Sequence, residues 1–236
     1  MSRGVGEFEL VQGSIPDSLA VVVALLTQLG DVWFVALLLA AAFVRFDRDR
    51  IVTVVGLTMG AIALVIALKY AFALPRPDRP LVELETLPSL IRPVYELTAH
   101  ASGYGFPSGH AVVTTAAYLS LAEVLPASTR RRRYAVAASI IAVVGLSRVA
   151  LGVHYLVDVL AGIGLSVAFL AVAFRFLSRY RTPGEQRTAA LGLAVGLAFV
   201  SVVASGAHVD ALALFVVSVA FFGLSLSFDR PWSTTA

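Results

Sequence analysis

Eight residues in three short segments carry the side chains with which this chain could do chemistry. The first segment is Lys69, six residues, then Arg76-Pro77. Two cations at this spacing can grip an anion, although basic side chains at a helix end also reach toward lipid head groups. Lys69 is the only lysine in the chain, against 17 arginines, which hints at a need for a compact ammonium there. The second segment is Gly105-Phe106-Pro107-Ser108-Gly109-His110. Its Pro, Ser and Gly make a turn into a helix start, where free backbone N–H groups favour phosphate-like anions. Ser108 adds a hydroxyl or an ordinary N-cap, and His110 adds a titratable ring. The third segment is Ser147-Arg148, five residues, His154, three residues, Asp158. His154 and Asp158 share a face if a helix has begun there, and a carboxylate beside an imidazole fixes its tautomer and raises its basicity. A purely structural Asp–His pair joining two helices is the plainer alternative. Taken together, cations for oxygens, one histidine to attack and a second to donate a proton suit phosphoryl transfer.

The elements that must position these residues are membrane helices. Of 236 residues, 58% are hydrophobic and 14% charged, and the mean hydropathy is +0.87. Soluble domains carry about 25% charged residues, and disordered chains carry more charge with less apolar content. With no cysteine, disulfides, thiolate metal sites and cysteine nucleophiles are excluded. Seven segments approach the roughly 20 apolar residues that cross a bilayer: Leu25–Phe46, Ile51–Ala73, His110–Leu125, Tyr134–Leu151, Leu156–Leu177, Ala189–Ala207 and Ala211–Phe228. Gly30 and Asp31 interrupt the first, so Leu19–Leu29 reads as an interfacial helix feeding a span, or as part of one long tilted helix. Leu74–Pro107 holds six of the ten prolines and reads as a restrained loop rather than another span. The first residues lack the basic-then-apolar pattern of a cleavable signal peptide. The expected fold is all-α: a polytopic transmembrane bundle of six to seven spans, forming one integral-membrane domain over 1–236.

Loop charges set an orientation. The side holding Arg45–Arg50, Arg130–Arg133, Arg175–Arg187 and the C-terminus carries 12 basic and five acidic residues; the other carries six basic and ten acidic. Lys and Arg favour the cytoplasm, so the N-terminus is predicted outside and the C-terminus inside. Arg130–Arg133 then serves as a topology anchor, and no nucleic-acid partner is expected. Lys69, Arg76 and Arg148 break this preference. All three chemical segments fall on the outer side, where ionisable groups beside apolar helices need a reason.

The three segments resemble the signature of the type 2 phosphatidic acid phosphatase superfamily, the lipid phosphate phosphatases: K-x6-R-P, P-S-G-H and S-R-x5-H-x3-D, each matched at every position and spacing. The resemblance implies a helical core shared with acid phosphatases and haloperoxidases, here about 51–177, with 178–236 as two additional spans. It implies that His154 attacks phosphorus and becomes a phosphohistidine, that Asp158 orients it, and that His110 protonates the leaving oxygen. It also implies that Lys69, Arg76, Ser108, Gly109 and Arg148 bind the phosphoryl oxygens, with no metal and no cofactor. The substrate would be a lipid phosphate or a polyprenyl pyrophosphate met among membrane lipids. A phosphotransferase passing the group to another alcohol would use the same residues. A transporter or scaffold is a further alternative, against which the complete signature and the lack of a repeat both speak. The last two spans would shape lipid entry or build a homo-oligomer. His100 and His208 match no segment and are expected to be structural, and Arg79 and Arg92 to be solvated loop charges or phosphate-steering ones.

Overall fold

The computed structural model describes residues 3–228 apart from Ile91 and His100, so the expectation for His100 and the C-terminal charges beyond 228 lie outside the described residues. Among the described residues there are helices and no strands: α1 (Glu7–Gln12), α2 (Ala20–Thr27), α3 (Val32–Arg45), α4 (Arg48–Phe72), α5 (Arg92–Ala99), α6 (Gly109–Val124), α7 (Arg130–Ala150), α8 (Leu156–Leu177), α9 (Pro183–Ala204) and α10 (Val209–Phe228). Helices α4, α7, α8, α9 and α10 are long and apolar enough to cross a membrane. The pair formed by Ala20–Gly30 and α3 makes a sixth such unit, bent by 53° at the break. The interruption at Gly30-Asp31 is therefore a bend between two apolar helices, with Asp31 capping α3 through the Trp33 N–H.

The segment expected as the third span differs. Helix α6 has 16 residues, about 24 Å at 1.5 Å per residue, short of a roughly 30 Å hydrocarbon core. Most of its residues are buried, including Val112, Val113, Ala116, Ala117 and Leu121. Neighbouring helices rather than lipid surround it, which explains an apolar sequence without full spanning length. It packs against α3, α4 and α7 through Val35, Leu39, Ile51, Val54, Val113, Leu121 and Ala137. A second cluster, with Leu57, Leu170, Leu177 and Ala190, ties α4 to α8 and α9.

Small residues set the closest approach. Ala190, Ala194 and Ala198 are fully buried at four-residue spacing on α9. A Cβ on Gly56 would lie 2.9 Å from the Ala190 carbonyl carbon, so α4 and α9 pack nearly backbone to backbone. At one end Arg187 pairs with Asp49 at 2.5 Å and donates to the Ser225 carbonyl at 3.1 Å, joining α9, α4 and α10. One of the arginines counted as a loop charge is thus a buried brace.

The Pro-rich segment is structured, as expected. Val82, Leu87 and Tyr95 bury themselves against Ala20 and Ala24 of α2 and against Leu151. Arg92 braces the segment by donating to the carbonyls of Leu87 at 2.7 Å and Glu85 at 2.6 Å, so it is tied down rather than solvated.

Candidate active site

The three segments meet at one end of the bundle because the helices alternate in direction: the C-terminal ends of α4 and α7 lie beside the N-terminal ends of α6 and α8. Helix α4 stops at Ala73, whose left-handed backbone (φ 49°) ends the helix while its N–H returns to the Lys69 carbonyl at 2.8 Å. The chain then enters Pro75-Arg76-Pro77. Arg76 is framed by backbone: its Nε and Nη2 donate to the Ser102 carbonyl at 3.1 and 3.0 Å, and Nη1 donates to the Val153 carbonyl at 3.0 Å. Gly105 presses on this turn, where a Cβ would sit 3.0 Å from the Pro75 carbonyl oxygen and 3.2 Å from the Arg76 Cα.

His154 lies between α7 and α8, 1% exposed. Arg76 Nη1 reaches its Nε2 at 2.8 Å, and Asp158 Oδ2 faces its Nδ1 at 3.5 Å. A guanidinium only donates, so Nε2 carries the lone pair and Nδ1 carries the proton directed at Asp158. Burial, reinforced by the charges of Arg76, Arg148 and Lys69, holds the His154 pKa well below the ordinary histidine value. The ring is therefore a neutral base surrounded by cations.

Two of those cations are incompletely paired among the described residues. Arg148 is 2% exposed; Nη1 donates to Thr27 Oγ1 at 3.2 Å, while buried Nε has no hydrogen-bond partner among the described residues. Such an unsatisfied charged donor is costly unless an anion completes it. Lys69 makes no hydrogen bond or ion pair among the described residues, and its Nζ lies 3.7 Å from where a Gly109 Cβ would be. Ser108 is fully buried, caps α6 through the Ala111 N–H at 3.4 Å, and donates its own N–H to the Asp158 carbonyl at 2.9 Å. It fills the ordinary N-cap role considered from sequence while tying the second segment to the third. His110 opens α6, with Nε2 3.5 Å from Asp31 Oδ2. All eight residues singled out from sequence thus converge on one neighbourhood.

Three contributors were missed. Asp31 faces His110, Thr27 holds Arg148, and Arg3 reaches Asp158. Asp31 had a signal, a carboxylate inside an apolar stretch; Thr27 and Arg3 had none. His208 sits 3.6 Å from Asp210 and 5.2 Å from the Tyr70 ring, a local structural setting. Arg79 pairs with Glu9 at 3.4 Å, both exposed.

Fold and site define a multi-pass helical membrane protein with a cluster of cations around a buried histidine at one end of the bundle. The chain belongs to the PAP2 superfamily, whose family model matches residues 50–182. Phosphatidylglycerophosphatase B of Bacillus subtilis (strain 168) is 37% identical over 92 residues, an alignment covering 36% of this chain and 45% of that relative. The chain thus aligns with under half the length of that curated relative. Among solved structures, a transmembrane PAP2-type phosphatidylglycerolphosphate phosphatase from Bacillus subtilis superposes with a TM-score of 0.60 at 26% identity, over 75% of this chain and 85% of that one. Aquifex aeolicus LpxE shares the fold, with a TM-score of 0.56 at 22% identity over 74% of this chain and 96% of that one.

Proposed function

We propose that this protein hydrolyses a phosphomonoester or pyrophosphate carried on a lipid, through a phosphohistidine on His154. The observation that carries the reading is the neutral His154 Nε2 beside Arg76 at 2.8 Å, with Arg148 Nε unsatisfied and Lys69 unpaired among the described residues close by. Arg76, Arg148 and Lys69 bind the phosphoryl oxygens, with the Ser108 hydroxyl and the Gly109 N–H at the start of α6. The His154 Nε2 lone pair forms a bond to phosphorus as the bond to the lipid oxygen breaks. That oxygen takes a proton from His110, and the Nδ1–H of His154 is held by Asp158. Water then attacks the phosphohistidine, gives its proton to His110, and releases phosphate with His154 restored. Charge neutralisation and positioning supply most of the catalysis in such a transfer.

Lipid as the carrier is supported by the membrane bundle and by the names of the relatives, both of which concern membrane lipid phosphates. The excess of acidic over basic loop residues at the site end supports an extracytoplasmic site, with the N-terminus outside and the C-terminus cytoplasmic. The test is phosphate release by the purified protein in detergent from phosphatidylglycerol phosphate, phosphatidic acid and a polyprenyl pyrophosphate, with and without chelator. We expect release from at least one, inhibition by vanadate, persistence under chelation, and loss in His154→Ala. An added alcohol that captures the phosphoryl group in place of water would turn the reading toward a phosphotransferase. No release from any of the three would overturn it.

A further inference from the structure

Residues 3–12 lie outside the three motifs and outside the matched family region, yet they are built into the site. Arg3 Nε donates to Asp158 Oδ1 at 3.2 Å, and Nη2 reaches Oδ2 at 3.4 Å. Nη2 also donates to the Pro75 carbonyl at 2.9 Å, one residue before Arg76, and the guanidinium sits 4.8 Å from the centre of the Tyr155 ring. The Asp158 side chain is fully buried and that of Arg3 is 17% exposed.

The segment holding Arg3 is fastened on both sides. Glu7 is buried; its Oε1 accepts the Leu156 N–H at 3.2 Å and its Oε2 the Val5 N–H at 2.5 Å. These bonds, with that from its own N–H, outweigh the effect of burial and keep the Glu7 carboxyl below the usual range, so it stays ionised at the start of α8, where negative charge is favoured. Phe8 packs with Ala111, Val149 and Val159 and lies 5.6 Å from the Tyr155 ring. Gln12 Nε2 donates to the carbonyls of Ala150 at 3.1 Å and Arg79 at 2.9 Å. The contacts therefore bridge the turn carrying Arg76 and both helices that flank His154.

A carboxylate has about four lone-pair positions to satisfy and is costly to bury without a cation. The Tyr155 N–H bonds Oδ2 at 3.1 Å, and Arg3 spans both oxygens, leaving Oδ2 turned toward His154 Nδ1. Without Arg3 the carboxylate loses the charge that opposes its protonation and the donor that fixes its rotation. A protonated or rotated Asp158 no longer holds the His154 Nδ1–H. We infer that Arg3 is a positioning residue for phosphoryl transfer: it fixes the Asp158 carboxylate and, through it, the ring of His154, so that the segment before α2 is part of the catalytic unit. The inference rests on His154 and Asp158 acting as proposed above.

The experiment compares full-length Arg3→Ala, Arg3→Lys and His154→Ala in detergent, using dioleoyl phosphatidic acid and p-nitrophenyl phosphate as probes. Thermal unfolding and 15N-histidine NMR are recorded on the same samples, the latter reading His154 Nδ1–H without substrate. We expect Arg3→Ala to lower kcat about 10- to 100-fold, the usual scale for a group that supports a catalytic ligand. We expect KM to stay within about twofold, the His154 Nδ1–H resonance to move, and Arg3→Lys to recover part of kcat, because a lysine at this position keeps the charge without the two-pronged fork. A kcat within about twofold of the parent with an unmoved resonance would overturn the inference. So would a loss that merely follows the unfolded fraction. Retained activity in His154→Ala would remove the nucleophile assignment and the inference with it; an inactive His154→Ala beside a fully active Arg3→Ala removes the inference alone.

Discussion

Arg76 Nη1 donates to His154 Nε2 at 2.8 Å, which leaves the proton of this ring on Nδ1, opposite Asp158. On the proposed reading, the nitrogen that would attack is masked by the same cation that would bind the phosphoryl oxygen, and substrate would exchange one partner of Arg76 for another.

The first prediction concerns pH. Burial first, then Arg76, Arg148 and Lys69, depress the His154 pKa. An unfolded histidine titrates near about 6.5. As pH falls through that value the unfolded chain takes up a proton that the folded site refuses, so this histidine's contribution to stability is present above that value and lost progressively below it. In 15N-histidine NMR of the substrate-free protein, we expect His154 to remain the neutral Nδ1–H tautomer as the pH is lowered through the ordinary histidine value. An inflection of His154 at the ordinary value would contradict this geometry.

Lys69→Arg should lose much of the activity although the charge is retained. Lys69 approaches the first turn of α6 beside Gly109, where a point charge fits and a planar fork is wider. We expect kcat/KM to fall at least about tenfold with thermal stability little changed. A wild-type value would mean that the lone lysine is incidental.

Gly162 sets the register of α8 against the second motif. A Cβ there would lie 2.8 Å from the Ser108 carbonyl oxygen and 3.1 Å from the Ala111 Cβ. Gly162→Ala must push α8 away from α6, straining the bond from the Ser108 N–H to the Asp158 carbonyl. Overpacking of this kind costs about 1–3 kcal/mol. We expect a lower unfolding temperature together with reduced kcat, and an unchanged melting curve would show that the helices separate easily.

The chain has no cysteine, so sidedness can be read with single introduced ones. A cysteine replacing Arg79 should react with an impermeant reagent in intact cells, and one replacing Arg131 should react only after permeabilisation. The reverse pattern would place the site in the cytoplasm.

The residues proposed for catalysis were legible because each motif is local: a cation pair, a turn into a helix, and a histidine four residues before an aspartate. What joins them was not. Arg3 meets Asp158 across 155 residues and Thr27 meets Arg148 across 121, and no period or spacing encodes such contacts. The break at Gly30-Asp31 was visible as an interruption, but its purpose was not. A Cβ on Gly30 would fall 2.2 Å from Thr114 Oγ1, so the bend lets the chain cross α6 closely and brings Asp31 to His110. That α6 is short and covered by neighbouring helices rather than by lipid was not legible, because burial among helices and burial in lipid select the same apolar residues.

The two motif histidines should separate by leaving group. As the proposed nucleophile, His154 should be needed for every substrate. His110 matters only where the departing oxygen is basic. A lipid alkoxide leaves poorly without a proton, and a positioned acid contributes roughly 10²–10⁴-fold, whereas p-nitrophenolate scarcely needs one. His154→Ala should therefore be inactive on both phosphatidic acid and p-nitrophenyl phosphate, while His110→Ala keeps a larger fraction of its aryl-ester activity. Asp31 lies 3.5 Å from His110 Nε2, and a carboxylate there orients the ring without touching phosphate. Asp31→Asn should thus follow the pattern of His110→Ala, in milder form, and not that of His154→Ala. Because the proposed mechanism also gives His110 the proton of the attacking water, the comparison belongs in the pre-steady-state burst, where only formation of the phosphoenzyme is read. Equal proportional losses on the two substrates in that burst, for both His110→Ala and Asp31→Asn, would show that His110 binds the phosphoryl group rather than protonating the alcohol.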